Sequence, residues 1–294
     1  MKPNLFRAMS REGGVSMVAI DSTEIVAKAA ALHGCSATVS AALGRSLTAA
    51  SLIGCTLKGE DDSVTLRIDG KGPVGVIFAI SDSAGNVRGC CWDYQVELPP
   101  KADGKLDVGA AVGRDGTLTL IRDIGLREPY VGSSQLVSGE IAEDIARYFA
   151  LSEQIPTVCA LGVLVNADRS IAAAGGYIAQ LLPGAAEEEI SALENSIGNI
   201  PSVTQMLAGG MTVPDIIGRV LGPLSLSIVE QSFAEYRCRC SRDKTRGILA
   251  SLPKNDLREL IESDGSADVR CNFCGREYHF DRGELTALLD EQGR

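Results

Sequence analysis

Aromatic residues make up only 4% of the 294 residues, and histidine occurs just twice. The core must therefore be built mainly from Ala, Val, Ile and Leu. Two histidines leave little for acid–base chemistry. No Ser/His/Asp set, paired-carboxylate motif or Walker loop is present, so the expectation is a non-enzyme without catalytic residues. Long apolar runs are missing too. The longest, "VCALGVLV" at 158–165, is far too short to span a bilayer. The opening "MKPNLFRAMSREGG" has no apolar run leading to a small-residue cleavage site. These absences predict a cytoplasmic protein without a membrane partner, its cysteines mostly reduced at rest. The 28 basic residues fall short of the 38 acidic ones, and the net charge of −10 argues against a large nucleic-acid footprint.

What remains is globular: 45% of residues are apolar and 22% charged, enough for a sizeable core. "GVSMVAIDST" (14–23) reads as a strand entering a helix capped by Asp21 or Ser22 and closed at His33–Gly34. "SATVSAALGRSLTAASLIGCTLK" (36–58) predicts a closely packed helix rich in small residues. Strands are predicted at "SVTLRIDG", "VGVIFAIS", "VRGCCWDY", 117–124, 133–138, 157–165 and 170–182, with a helix at 139–154 among them. Strand groups separated by helices suggest an α+β core domain with a mixed sheet over 1–182.

Composition shifts after "LLPG". Short helices joined by Gly and Pro follow, the third capped by Thr212 with Pro214 in its first turn, so 183–234 reads as a helical linker region. Ile190, Leu193 and Ile197 align on one helix, and Ile216, Ile217, Val220 and Leu221 on another. Such helices are marginal alone and need a platform, on which the folded C-terminal module is expected to help hold them. Residues 235–294 form that small module.

Four of the nine cysteines fall into two close pairs, Cys238-x-Cys240 and, thirty residues on, Cys271-x-x-Cys274. Zinc takes four soft ligands in a tetrahedron, and two such pairs supply them, so all four are the expected ligands of one Zn²⁺ per chain in the reduced state. The four could instead be unrelated buried thiols, or the metal an inert staple. Two considerations favour a switch. A module of about 60 residues draws only a few kcal/mol from its core, whereas structural zinc supplies about 10–16 kcal/mol. Zinc-bound sulfurs are thiolates, open to oxidants, and lie about 3.8 Å apart around a tetrahedral ion, whereas a disulfide needs about 2.05 Å.

Arg237, Arg239, Arg242, Lys244 and Arg246 crowd the first pair. Residues 238–294 nevertheless carry 10 basic and 11 acidic groups, a net of −1. Nucleic acid is thus disfavoured, and the cations read as balancing the negative charge of a zinc–tetrathiolate centre. A zinc-ribbon binder and a thiol oxidoreductase using the C-x-x-C pair remain as alternatives.

These cysteine pairs, with "SAALGR" (40–45), "GKGPVG" (70–75), "LVSGEIAEDIA" (136–146), "SEQIP" (152–156) and "AAGGYIAQLLPG" (173–184), resemble the thirty-three-kilodalton heat shock protein family across essentially the whole chain. The resemblance implies a redox-regulated, ATP-independent chaperone, a holdase that is inactive while reduced and zinc-bound. It implies disulfides Cys238–Cys240 and Cys271–Cys274 on oxidation, zinc release, unfolding of module and linker, homodimerisation, and binding of unfolded client proteins. Hand-over to ATP-driven foldases on reduction is implied as well. The two apolar linker stripes are candidate client-binding faces, buried at rest and conditionally exposed.

Other signals read as structure. "GKGPVG" matches a dinucleotide fingerprint, but a strand follows it where a helix is required, so a hairpin turn is expected. His279, five residues after Cys274, could compete as a ligand. Cys35, Cys55, Cys90, Cys91 and Cys159 lie in apolar sequence and are expected to pack in the interior. The acidic run 187–189 suits the first turn of a helix.

Overall fold

The structure, a computed structural model, describes residues 2–222, 224 and 226–292. The chain forms two compact units, Met1–Arg237 and Cys238–Arg294.

The first unit is layered. Strands β1 (Leu5–Ser10) and β2 (Val15–Asp21) lead into helices α1 (Thr23–His33) and α2 (Ala37–Gly54). Strands β3 (Ser63–Asp69), β4 (Ile77–Asp82) and β5 (Val87–Cys90) follow, then a short helix α3 (Val108–Val112) and strands β6 (Thr117–Asp123) and β7 (Tyr130–Gln135). Helix α4 (Ala142–Tyr148) continues as a π-helical turn over Phe149–Glu153, and strands β8 (Thr157–Val165) and β9 (Ile171–Leu181) complete the core. Three linker helices, α5 (Glu187–Ile197), α6 (Val203–Ala208) and α7 (Val213–Val220), precede strand β10 (Leu226–Ser232).

Two five-stranded sheets result, ordered β10-β1-β2-β9-β8 and β5-β4-β3-β6-β7. Neighbouring strands pair antiparallel, and an isolated parallel bridge joins Val87 to Tyr236. The architecture is α+β. β3 and β4 are the two arms of a hairpin, so "GKGPVG" lies in its turn, where Gly75 has φ +68°.

Helix α2 lies between the sheets, with 16 of its 18 residues buried. Ser36 caps it by accepting from Val39 N at 3.2 Å. Small side chains let both sheets approach. A Cβ on Gly44 would stand 2.7 Å from Val26 Cγ1 and 2.9 Å from Val163 Cγ2. Helix α1 starts after Ser22, but it is Asp21 Oδ1 that accepts from Thr23 N at 3.0 Å, and Gly34 closes the helix at φ +61°.

The first sheet presents a different apolar set on each face, as the two-residue period of a strand dictates. Val18, Ile20 and Ile178 face α2, whereas Val15, Met17, Ala19, Tyr177 and Ala179 face the linker helices. Leu193, Ile216, Ile217, Val220 and Leu221 are buried on that outer face, with Ile197 packed at its margin and Ile190 half-buried. The platform for the linker stripes is thus a sheet of the first unit. Thr212 caps α7, and Asp215 returns a bond to Thr212 N at 2.9 Å. Of the acidic run, Glu189 does more than face a helix dipole: it is buried and accepts from Ser10 Oγ at 2.5 Å.

Two strands depart from the sequence reading. Residues 183–234 read as helical, yet Leu226–Ser232 form β10 against β1, and Leu5–Ser10, not read as a strand, form β1. The helix expected at 139–154 is α4 plus its π-helical turn.

Gly44→Leu should lower the thermal midpoint, costing about 1–3 kcal/mol through overpacking against Val26 and Val163. Gly218→Ala in α7, where an added methyl meets nothing within 4 Å, should gain about 0.5–1 kcal/mol. Thermal denaturation followed by circular dichroism checks both signs.

Candidate metal centre

The second unit contains α8 (Arg242–Ala250), α9 (Lys254–Ser263), the β11 (Ser266–Arg270)–β12 (Glu277–Asp281) hairpin and α10 (Arg282–Glu291). Among the described residues its core holds seven buried apolar side chains, including Leu257, Phe280, Leu285 and Leu288. That is a small core for 57 residues.

Cys238 and Cys240 stand just before α8, whose Ser241 cap accepts from Lys244 N at 3.2 Å. Cys271 and Cys274 occupy the β11–β12 turn. Here Cys271 N donates to Arg276 O at 2.9 Å and Gly275 N to Cys271 O at 2.8 Å. Gly275 adopts φ +70°, a left-handed conformation that suits glycine and folds the turn back beneath the second thiol.

The four Sγ atoms all lie within 4.8 Å of one another. Cys238 and Cys271 are 3.7 Å apart, Cys240 and Cys274 3.4 Å. A tetrahedral ion with metal–sulfur bonds of about 2.3 Å spaces its sulfurs about 3.8 Å apart, so the donor set fits a soft four-coordinate metal. Among the described residues this is the only such cluster of potential ligands. The four cysteines can hold a metal ion.

Tyr278 Oη donates to Cys240 Sγ at 3.1 Å. Burial pushes the Cys240 thiol up, but the Tyr278 hydroxyl and the neighbouring thiols outweigh it and bring it down to about 7. Burial raises Cys238 and Cys274 instead. Nothing in the residue pattern singles out Tyr278. Its role follows from the β12 register, which turns its ring toward the cysteines.

His279 lies outside the group. It faces Asp268 across the hairpin, with Nδ1 and Oδ1 2.8 Å apart on an exposed surface. Three of the nearby cations are engaged by carboxylates. Arg242 binds both oxygens of Glu284 at 2.7 and 2.8 Å and covers the Phe280 ring at 4.5 Å. Arg246 reaches Glu291 at 2.6 Å, and Arg237, in the first unit, reaches Glu235 at 2.6 Å. The pairing of these three with carboxylates weakens the nucleic-acid alternative. The remaining cysteines lie in the first unit. Cys35, Cys55 and Cys91 are buried, Cys90 and Cys159 half-buried. Burial pushes Cys35 and Cys55 up to about 12, and raises Cys91 and Cys159 as well. Such thiols are inert at rest.

No helix among the described residues is long and apolar enough to cross a membrane. A family model described as "Hsp33 protein" matches residues 4–281. The 33 kDa chaperonin of Alkaliphilus metalliredigens is 43% identical over 291 residues, covering 99% of this chain and 100% of that one. The 33 kDa chaperonin of Clostridium botulinum strain 657 is 40% identical over 290 residues, with 99% and 98% covered. The crystal structure of the 33 kDa chaperonin, a heat shock protein 33 homologue, from Thermotoga maritima superposes with a TM-score of 0.91 at 34% identity, covering 100% of this chain and 99% of that one.

Tyr278→Phe removes the hydrogen bond to Cys240 Sγ and should lower the affinity for Zn²⁺ by about 10-fold or more. Competition with a chromophoric chelator measures this; an unchanged affinity contradicts the role of Tyr278.

Proposed function

The chain belongs to the Hsp33 family of chaperones, and we propose that it is a redox-regulated, ATP-independent holdase whose trigger is the four-thiol cluster. The convergence of Cys238, Cys240, Cys271 and Cys274 within 4.8 Å carries this reading. The metal is Zn²⁺, one per chain, held by these four thiolates in the reduced state. Bound there, zinc supplies a four-way crosslink to a unit whose core is too small to be secure alone.

On oxidation, Cys238 pairs with Cys240 and Cys271 with Cys274. Each pair of thiolates gives up two electrons to a peroxide-class oxidant, which takes up two protons and leaves as water. Sulfurs joined to each other are poor ligands, so the crosslink is lost and residues 235–294 unfold. The helical linker 183–234 loosens from the α+β core 1–182. Leu193, Ile197, Ile216, Ile217, Val220 and Leu221, with Ile190 at the margin, then present apolar area to unfolding clients. Their burial against the outer face of the first sheet supports this part, because that face and the stripes become available together. Dimerisation on oxidation, hand-over to ATP-driven foldases, a cytoplasmic location and the lack of catalysis complete the proposal.

Cys271→Ser should weaken zinc binding and leave the second unit partly unfolded even when reduced; a folded, zinc-replete variant contradicts the ligand assignment. Suppression of client aggregation, followed by light scattering with zinc release in parallel, should appear only after peroxide. Protease cleavage within 183–234 should rise at the same time. Equal suppression by the reduced, zinc-loaded chain overturns the trigger, and so does cleavage that peroxide leaves unchanged.

A further inference from the structure

The last residues before Cys238 are held in an unusual way. Residues 234–237 run as an extended strap along the edge of β5, and nearly all of their backbone is read by the first unit. Asn4 accepts from Ala234 N at 2.8 Å and donates to Ala234 O at 3.0 Å. Asn86 Oδ1 accepts from Glu235 N at 3.2 Å. Val87 N donates to Glu235 O at 2.9 Å, and Val87 O accepts from Arg237 N at 2.8 Å. Lys28 Nζ donates to Tyr236 O at 3.0 Å.

These are six bonds to the main chain of four consecutive residues, made by two asparagines, one lysine and one strand residue. Main-chain recognition of this kind is blind to sequence, as in strand addition to a sheet edge. One side chain is read as well. Tyr236 is 3% exposed, and its hydroxyl donates to Gly89 O at 3.1 Å and lies 3.3 Å from His33 Nε2.

We propose that the strap is a built-in occupant of a peptide cradle, and that an extended client segment carrying a tyrosine takes its place. The strap itself shows which occupant fits: an extended polypeptide, parallel to β5, with one aromatic residue seated between His33 and Gly89. The release of the strap rests on the redox reading above. While the chain on both sides is folded, the strap is clamped. With 183–234 and 238–294 unfolded it is tethered by flexible chain alone, and competes with clients at an effective concentration on the order of millimolar.

The test uses the full-length chain and a fluorescein-labelled peptide, SFAEYR, corresponding to residues 232–237. Fluorescence anisotropy is read for reduced zinc-loaded wild type, oxidised wild type, and oxidised chains carrying Asn4→Ala or Lys28→Ala. Oxidised wild type should bind the peptide at least about tenfold more tightly than reduced wild type. Oxidised Asn4→Ala and Lys28→Ala should each bind it about 2- to 10-fold more weakly than oxidised wild type. A peptide with Ala in place of Tyr should compete more weakly than SFAEYR. Equal binding by oxidised wild type and both variants overturns the cradle, and so does an Ala peptide that competes as well as SFAEYR. An oxidised chain that suppresses aggregation without binding the peptide sinks the cradle and spares the redox trigger. Peptide binding that depends on Asn4 and Lys28, with no suppression of aggregation by oxidised wild type, sinks the trigger and spares the cradle.

Discussion

Four sulfurs from two distant turns meet within 4.8 Å of one another, and the second unit is organised around that meeting. Each turn is simple: a residue pair ahead of a capped helix, and a hairpin tip folded by a left-handed glycine. What joins the two turns is the four-thiol cluster and a thin apolar layer around Phe280 and Leu285. When a crosslink outweighs the core it fastens, ligand chemistry becomes folding chemistry. In the proposed function, oxidation of the sulfurs is for that reason also an unfolding reaction.

The first unit has the opposite character. Helix α2 is buried on nearly every side between two sheets, and its small residues allow contacts too close for larger side chains. Its five cysteines sit outside the tetrathiolate group. Burial drives four of these thiols to high pKa, which leaves them unreactive at rest. Between these extremes lie α5, α6 and α7. They are short and laid on the outer face of the first sheet, in an apolar cluster separate from the one around α2.

Much of this was legible in the residues. The Ala/Ser/Gly-rich run of α2, the Thr212 cap and the spacing of the four cysteines each carry a local physical signature. The sequence did not reveal β1 and β10. β10 follows a run of helices, and its partner β1 lies more than 200 residues away, so no local pattern announces the pair. The platform under the linker stripes was hidden for the same reason, since it consists of alternate residues of β1, β2 and β9 that meet only in the folded sheet. The hydroxyl of Tyr278 on Cys240 depends on hairpin register, and the engagement of Arg242 and Arg246 by Glu284 and Glu291 depends on how α8 and α10 pack. Charge counts over a segment cannot tell a free cation from one already answered.

Hydrogen–deuterium exchange on the full-length chain, reduced and zinc-loaded against peroxide-treated, tests the central claim most directly. The account predicts that amides of 238–292 lose protection on oxidation while those of α2, 37–54, keep theirs. Protection retained throughout 238–292 after all four thiols have been oxidised would contradict it.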